Sequence, residues 1–274
     1  MARPKLTNAA RPATFEVEAY NEKGEMVPTA IAGEHPLTLY LDKRELVTLM
    51  TLGHAPEALI IGYLRNQRLV NSIDDLASVQ VDWETDSVAV TTYRRNEVDL
   101  DKKTVTSGCG QGTMFGNLME EIDQIRLRND VLLEDSNLFV LLEKVRKHET
   151  IYKQSGAVHG CALATLGGEI LMFVEDVGRH NAVDAIAGFM WLDGIDGSDK
   201  VFYTTGRLTS EMVIKCAQMG IPFLVSRSGL TQMGHSIANK VGITMLGRAS
   251  GRHYLVFSGK ERIQQTAPRP TAVA

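Results

Sequence analysis

The chain has 274 residues, of which 44% are hydrophobic and 23% are charged. These values are ordinary for a globular protein, and the length suffices for one large domain or two modest ones. The formal net charge of −4 argues against a general binder of nucleic acid or of membrane surfaces. An anionic ligand would therefore need a local patch of basic side chains.

The N-terminal segment and the cysteines indicate the cellular compartment. The first residues, MARPKLTNAARPATF, carry basic side chains without the apolar segment that follows them in a secretory signal. No apolar run approaches the roughly 20 residues that a membrane helix needs. The three cysteines, Cys109, Cys161 and Cys216, form no CxxC pair and suit a reducing environment. We therefore expect a cytoplasmic protein without a membrane or nucleic-acid partner.

The N-terminal part of the chain predicts a mixed α+β domain over residues 13–106. Alternating side chains predict strands at 13–20, 25–32 and 35–42, and a hairpin within 78–95. KRELVTLM (43–50) and EALIIGYLRNQRLV (57–70) show helical periodicity, and Pro56 stands at the start of the second segment.

A glycine-rich segment follows this domain. TVTSGCGQGTMFG (104–116) contains four glycines within the nine residues 108–116. Glycine loses more backbone freedom on ordering than any other residue, so regular structure is disfavoured here. We assign residues 107–136 to a glycine-rich active loop and a connecting helix.

The C-terminal part predicts a layered α/β domain over residues 137–260, followed by a disordered tail at 261–274. HGCALATL and EILMFVED flank Gly167-Gly168 and predict a hairpin. NAVDAIAGFMWL predicts a helix that Asn181 can cap, with Asp184 completing an imperfect capping box. Three further strands alternate with two helices, and a last strand follows, up to YLVFS (254–258).

Glycine and arginine recur where the predicted strands of the C-terminal domain end. In open α/β sheets ligands collect at the carboxyl ends of strands, where helix N-termini favour anions and arginine grips phosphate. One Gly-Arg pair is usually a solvated turn, and no Walker A or GxGxxG fingerprint occurs. Four successive junctions nevertheless predict a cationic cleft for a pyrophosphate or dinucleotide. The candidate binding residues are Arg179, His180, Asn181, Gly206, Arg207, Arg248, Ala249, Ser250, Gly251, Arg252 and His253.

Cys109 differs from the other two cysteines. Cys161 and Cys216 lie in apolar segments and are expected to be inert core residues. Cys109 has glycine on both sides and no apolar neighbour, which favours a reactive thiol over an incidental surface one. No cluster of His and Cys has the spacing of a zinc site, so we expect no metal ligands.

The segment HGCALATLGGEILMFVEDVGRHNAVDAIAG (159–188) closely resembles the EDVGRHNAVDK region of the FdhD family, the formate dehydrogenase accessory sulfurtransferases. The resemblance spans about residues 13–260 and includes HPLTLYLD, TTGRLTSEMVIKCAQMGIPFLVS and LGRASGRHYLVFSG. It implies a C-terminal α/β/α domain resembling the cytidine deaminase-like fold, without that fold's zinc ligands.

The resemblance also implies a function. Such proteins take sulfur from a cysteine desulfurase as a persulfide and pass it to the molybdenum of bis(molybdopterin guanine dinucleotide). The sulfurated cofactor then activates formate dehydrogenase. Cys109 matches the first cysteine of the family's SxCGxCG loop and would carry the sulfur, and the glycine- and arginine-bearing turns would hold the cofactor. A homodimer is suggested by the resemblance alone.

The sequence departs from the family pattern in two places. Gly112 occupies the position of the second loop cysteine, so sulfur cannot pass between two cysteines of this loop. Arg248-Ala249-Ser250 replaces the usual Phe-x-Arg of the terminal loop. These departures leave open a cofactor or guanine-nucleotide chaperone without sulfur chemistry. A cysteine hydrolase using Cys109 and His180 is disfavoured, because no oxyanion-hole motif or acidic partner for the histidine stands out.

Overall fold

The structure is a computed structural model that describes residues 3–93, 122, 124–148 and 150–266. The chain divides into two compact units, each assembled from segments distant in sequence. The first unit comprises Met1–Gln124, Glu149–Cys161 and Val174–Ile195, and the second comprises Ile125–His148, Ala162–Phe173 and Asp196–Ala274. No helix in the described part of the chain combines the length and the apolarity needed to cross a membrane.

The first unit contains a five-stranded sheet with strand order β1-β6-β7-β4-β5 and a separate antiparallel ribbon, β2-β3. Its strands are β1 (Lys5–Leu6), β2 (Thr14–Tyr20), β3 (Met26–Ala32), β4 (His35–Leu41), β5 (Arg44–Thr51), β6 (Leu76–Asp82) and β7 (Ser87–Thr92). The β6-β7 hairpin confirms the prediction for residues 78–95.

Strand β5 corrects one sequence prediction, because KRELVTLM is a strand and not a helix. Asp42 and Lys43 both adopt positive φ angles, of 47° and 75°, and form the turn of an antiparallel hairpin with β4. A two-residue hairpin turn of this kind requires positive φ at both central positions. The Asp42 carboxylate also accepts hydrogen bonds from the backbone and side chain of Thr92 on β7. Tertiary pairing therefore overrides the local helical periodicity.

Two helices of the first unit, α1 (Pro56–Asn66) and α4 (Arg179–Asp193), contact each other through their backbones. A Cβ added at Gly62 would lie 1.7 Å from the Asp184 carbonyl oxygen, and one at Gly188 would lie 1.9 Å from that of Ala58. Only glycine fits at both positions. The Asn66 amide nitrogen donates to the Asp184 carboxylate at 2.7 Å. These contacts hold α4 against α1 within the unit.

The second unit is built on the six-stranded sheet β10-β9-β11-β12-β13-β14, to which residues 162–165 of β9 and 170–173 of β10 belong. The strands are β9 (His159–Thr165), β10 (Ile170–Asp176), β11 (Lys200–Thr204), β12 (Phe223–Ser226), β13 (Thr244–Ser250) and β14 (His253–Ser258). The helices in this unit are α2 (Asp135–His148), α5 (Ser210–Gln218) and α6 (Gln232–Val241). The first unit also contains the short helix α3 (Ile151–Ser155) and a 3-10 turn at Ile73–Asp75.

The sheet of the second unit positions the predicted binding turns. β11, β12 and β13 run parallel, so their carboxyl ends meet at one edge of the sheet. One face of the sheet packs on α2 through a core cluster that includes Leu138, Leu141, Tyr203 and Val225. Successive residues of a strand point to opposite faces, so Phe202 and Leu224 fill the other side. The α/β class predicted from the sequence is confirmed.

The segment after β14 is ordered further than the sequence predicts. Residues Lys260–Arg262 form a helical turn, and β15 (Ile263–Gln264) pairs with β8 (Leu133–Glu134), where a disordered tail was expected from 261. Arg262 explains the difference. Its guanidinium is buried over the Phe223 ring at 5.4 Å and donates to the carbonyl oxygens of Arg128 and Gly242. A long cationic side chain thus anchors a segment that looks solvated by composition.

Candidate anion-binding site

The three cysteines fall into two groups. Cys161 on β9 and Cys216 on α5 are both 0% exposed, which confirms their prediction as core residues. A buried thiol cannot meet a partner protein without unfolding of its surroundings. Cys109 and the loop residues around it, including Gly112, lie outside the described residues.

The N-terminus of α4, in the first unit, carries three of the predicted binding residues. The helix begins at Arg179 after Gly178, with no side-chain cap and no acidic residue in its first turn. The first helical hydrogen bond runs from the Ala182 nitrogen to the Gly178 oxygen at 3.1 Å, so three N–H groups precede it. A helix N-terminus without a carboxylate in its first turn, and with Arg179 and His180 there instead, favours an anion.

Asn181 does not cap α4, contrary to the sequence prediction. Its amide nitrogen instead donates to the Met50 carbonyl oxygen at 2.6 Å and to the Asp176 carboxylate at 2.9 Å. Asp184 is likewise occupied by Asn66 and completes no capping box. The amide of Asn181 is thus bound within the protein, and its prediction as a cofactor ligand stays untested.

Asp176 lies at the centre of this arrangement. One carboxylate oxygen accepts from Thr51 Oγ1 at 2.6 Å and from the Leu52 nitrogen at 3.2 Å. The other accepts from the Gly178 nitrogen and from Asn181 Nδ2, both at 2.9 Å. Burial raises the pKa of Asp176, and these four donated bonds oppose that rise.

Arg179 provides the chemical signal of a ligand site in the first unit. Its Nε is buried and has no hydrogen-bond acceptor in the described part of the chain, and no described carboxylate forms an ion pair with it. A buried N–H without an acceptor is costly, and one on a cation is more so. An anionic ligand would supply the missing acceptor.

In the second unit, the turns after β11 and β12 are bonded to each other. Ser226 Oγ donates to the Gly206 oxygen at 2.7 Å and accepts from the Ser228 nitrogen at 2.9 Å. The Leu208 nitrogen donates to the Gly229 oxygen at 3.0 Å. These bonds hold the backbone of both turns, while the Arg207 side chain is exposed. The edge is therefore a rigid backbone with a cationic side chain projecting from it.

The segment 248–253 is a hairpin and not a turn that enters a helix. Arg248 lies in an irregular stretch of β13 with a positive φ of 52°, and its nitrogen donates to the Ser228 oxygen. Ala249 is 1% exposed and belongs to the core, so its side chain faces away from solvent. The other predicted residues of this segment are exposed: Arg248, Ser250, Gly251, Arg252 and His253. Neither Arg207 nor Arg248 pairs with a carboxylate within the ranges that the structure describes.

A groove of about 540 Å³ in the second unit adds residues that the sequence did not single out. It runs between Gly251-Arg252 and α2, where the Arg252 guanidinium lies 5.7 Å from the Phe139 ring centre. Phe139 is also 5.9 Å from the Tyr254 ring. Helical periodicity places Phe139 on α2, but only the tertiary structure brings it beside Arg252. The groove offers a planar surface with a cation above it.

The predicted binding residues divide between the units: Arg179, His180 and Asn181 belong to the first, and the others to the second. Each group combines arginine with exposed or uncapped backbone, which suits an anion. Over the described residues, no group of three or more His, Cys, Asp and Glu side chains could hold a metal ion.

Comparison with known proteins agrees with the sequence motif. The model of the FdhD/NarQ family matches residues 32–264. The sulfur carrier protein FdhD of Listeria innocua is 30% identical over 254 residues, covering 91% of this chain and 95% of the relative. The protein of the same name from Wolinella succinogenes is 31% identical over 237 residues, covering 85% and 82%.

A solved structure shows the same likeness. The crystal structure of a formate dehydrogenase accessory protein from Desulfotalea psychrophila matches with a TM-score of 0.75 and 26% identity. The match covers 92% of this chain and 100% of that one. The resemblance read from EDVGRHN is thus confirmed, and the chain belongs to the FdhD/NarQ family.

Proposed function

We propose that this protein carries sulfur as a persulfide on Cys109 for the maturation of formate dehydrogenase. The sulfur comes from a cysteine desulfurase and goes to the molybdenum of bis(molybdopterin guanine dinucleotide), which is bound as a substrate. Relatives named sulfur carrier protein FdhD and a neighbour named formate dehydrogenase accessory protein support the role. The cysteine desulfurase as donor and the molybdenum cofactor as acceptor are inferred from the resemblance to the family.

The burial of two of the three cysteines is the observation that carries the proposal. A sulfur carrier needs a thiol that a partner protein can reach, and Cys161 and Cys216 are fully buried. Cys109 is the cysteine that remains, and it aligns with the first cysteine of the family's loop. With Gly112 at the second position, Cys109 acts alone.

The transfer conserves atoms and electrons at each thiol. The Cys109 thiolate attacks the outer sulfur of the donor persulfide, an S–S bond forms at Cys109, and the donor cysteine leaves as a thiolate. The protein then holds Cys109–S–SH. When the outer sulfur leaves, both electrons of the S–S bond stay with Cys109, which returns as the thiolate, so the sulfur is delivered at the zero-valent level. The molybdenum of the acceptor, bound as substrate, would take up this sulfur and supply the two electrons that a sulfide-level ligand requires.

The arginines support an anionic nucleotide as the acceptor. Arg179, Arg207 and Arg248 have no carboxylate partner among the described residues, and Arg179 Nε lacks an acceptor. The proposed acceptor carries two pyrophosphates, which match planar guanidinium groups well. Exposed Gly251 lets a ligand approach the backbone of the β13-β14 hairpin.

Intact mass spectrometry tests the carrier. The protein is incubated with a cysteine desulfurase and free cysteine, and we expect one added sulfur atom on the wild type and none on Cys109→Ala. Cys216→Ala is the matched control, since it removes a buried thiol and should keep the adduct. An adduct of equal yield on Cys109→Ala would overturn the proposal.

A cofactor chaperone without sulfur chemistry is the second candidate, and Gly112 is the observation that favours it. It predicts that Cys109→Ala leaves maturation of formate dehydrogenase intact while Arg207→Ala abolishes it. The sulfur-carrier proposal predicts that both substitutions abolish maturation. Formate oxidation by the matured enzyme distinguishes the two.

A further inference from the structure

Asp176 joins two segments of the first unit that are distant in sequence. One of its oxygens accepts from Thr51 and Leu52 at the end of β5, and the other accepts from Gly178 and Asn181 at the start of α4. Each carboxylate oxygen therefore serves one segment. The carboxylate is 5% exposed and thus shielded from water, so these bonds have little competition from solvent.

The bonding pattern of Asp176 bears on whether its carboxyl group is ionised. The Leu52 and Gly178 nitrogens and the Asn181 amide are donors, and Thr51 Oγ1 also donates. An ionised carboxylate accepts at both oxygens, whereas a protonated one would turn one oxygen into a donor. The three N–H donors therefore favour the ionised form, in which both oxygens accept, and oppose the burial that raises the pKa of Asp176.

We propose that Asp176 is a positioning residue, which holds the first turn of α4 so that Arg179 faces the anionic acceptor. The inference rests on the proposed function, because it assigns a task toward that ligand. Asp176 touches no ligand in this scheme. It fixes Gly178 and Asn181, the residues on either side of Arg179 and His180, and so fixes the position of the first turn that carries Arg179.

Glu175 offers a control of the same chemistry. It precedes Asp176 on β10, is 4% exposed, and accepts four hydrogen bonds from Thr150, Ile151 and Tyr152 at the start of α3. Both side chains are buried carboxylates that bind the start of a helix. They differ in the helix that they hold: Glu175 holds α3, and Asp176 holds α4. Only α4 carries predicted ligand residues, so Glu175 serves as the control.

The test measures the affinity for GDP, a fragment of the proposed acceptor, by isothermal titration calorimetry. In Asp176→Asn an amide NH₂ replaces one oxygen and meets two donors, so we expect GDP affinity to fall about tenfold, as expected for loss of a charge-assisted hydrogen bond. Glu175→Gln should lower the melting temperature by about as much as Asp176→Asn does, and it should leave the affinity for GDP unchanged. Equal losses of affinity in the two variants would show a merely structural role.

A double-mutant cycle with Arg179→Ala separates the two proposals. If Asp176 acts through Arg179, the double variant binds GDP no more weakly than Arg179→Ala alone. Independent, additive losses would overturn the positioning role while leaving the ligand site intact. If neither Arg179→Ala nor Arg207→Ala weakens GDP binding, the ligand proposal itself fails.

Thr51→Val keeps the test decisive should Asp176→Asn not fold. It removes the 2.6 Å bond to Asp176 with little change of shape. We expect a loss of GDP affinity of about threefold, since one neutral donor is removed. Unchanged affinity in a folded Thr51→Val protein would count against the inference.

Discussion

Polar side chains at the end of β10, in the first unit, differ in their surroundings from the arginines after β11 and within β13, in the second unit. Asp176, the last residue of β10, and Asn181, in the first turn of α4, have buried side chains that are bonded within the protein. After β11 and within β13, Arg207 and Arg248 are exposed and have no described carboxylate partner. The family's most specific motif thus builds structure, while the less specific Gly-Arg pairs present charge to solvent.

This contrast changes how the motif is interpreted. Of the residues in EDVGRHN, Glu175 holds α3, and Asp176 and Asn181 hold α4. Arg179 is the residue whose buried Nε still lacks an acceptor in the described part of the chain. The two carboxylates and the amide of the motif therefore hold the fold together, and Arg179 is the side chain that the proposed anion would contact.

The largest expected effect tests whether the first region is structural. In Gly62→Ala the new Cβ would lie 1.7 Å from the Asp184 backbone oxygen, so α1 and α4 must separate. We expect the free energy of unfolding to fall by more than about 4 kcal/mol, measured by urea denaturation. Gly229→Ala is the control from the second region, where nothing lies within 4 Å, and should change stability by less than about 0.5 kcal/mol. Similar losses of unfolding free energy in the two variants would contradict the structural role assigned to the first region.

The next effect sets stability against binding. Asp176→Ala leaves buried donors of Thr51, Leu52 and Gly178 without an acceptor and should cost about 3 kcal/mol of unfolding free energy. Arg207→Ala should change stability by less than about 0.5 kcal/mol but weaken GDP binding about tenfold. Denaturation and calorimetry on both variants measure this. A stable Asp176→Ala, or a strongly destabilised Arg207→Ala, would contradict the division of roles.

The smallest expected effect is the change in folding stability with pH that His35, in the first unit, would cause. Burial and the neighbouring Arg11 guanidinium, whose Nη1 lies 3.1 Å from Nδ1, lower the pKa of His35 from 6.5, and Asp86 opposes them. The folded state then binds fewer protons than the unfolded state below pH 6.5. Stability from this group is therefore present above that pH and is lost as the pH falls through the lowered pKa.

Urea denaturation between about pH 7 and pH 5 measures this dependence, since it spans the ordinary histidine pKa. His35→Gln cannot titrate and should show a shallower fall in stability over the range. An identical slope in His35→Gln would mean that other groups cause the dependence. The same series on Arg11→Gln should also be shallower, because the charge that disfavours the imidazolium is gone.

The sequence predicted most elements where one periodicity dominates and turn residues bound it. The helix expected from NAVDAIAGFMWL is α4, and the strands around Gly167-Gly168 are β9 and β10. The helix predicted for KRELVTLM was wrong, because pairing with β4 and the Asp42-Lys43 turn outweigh a short helical pattern. For the candidate site, residue type alone predicted the turns that carry glycine and arginine. The sequence did not predict that Ala249 faces the core, and it did not predict the groove beside Phe139.

By itself the sequence determined the family, the α/β class, and Cys109 as the thiol that lacks apolar neighbours. Those conclusions follow from local patterns, which a chain carries before it folds. Only the tertiary structure decided that Asp176 and Asn181 bind Thr51 and Met50, more than a hundred residues away in the chain, and that Arg207 and Arg248 have no described carboxylate partner. Hydrogen-bond partners of a buried side chain depend on which distant segments pack against it, and spacing along the chain does not encode that.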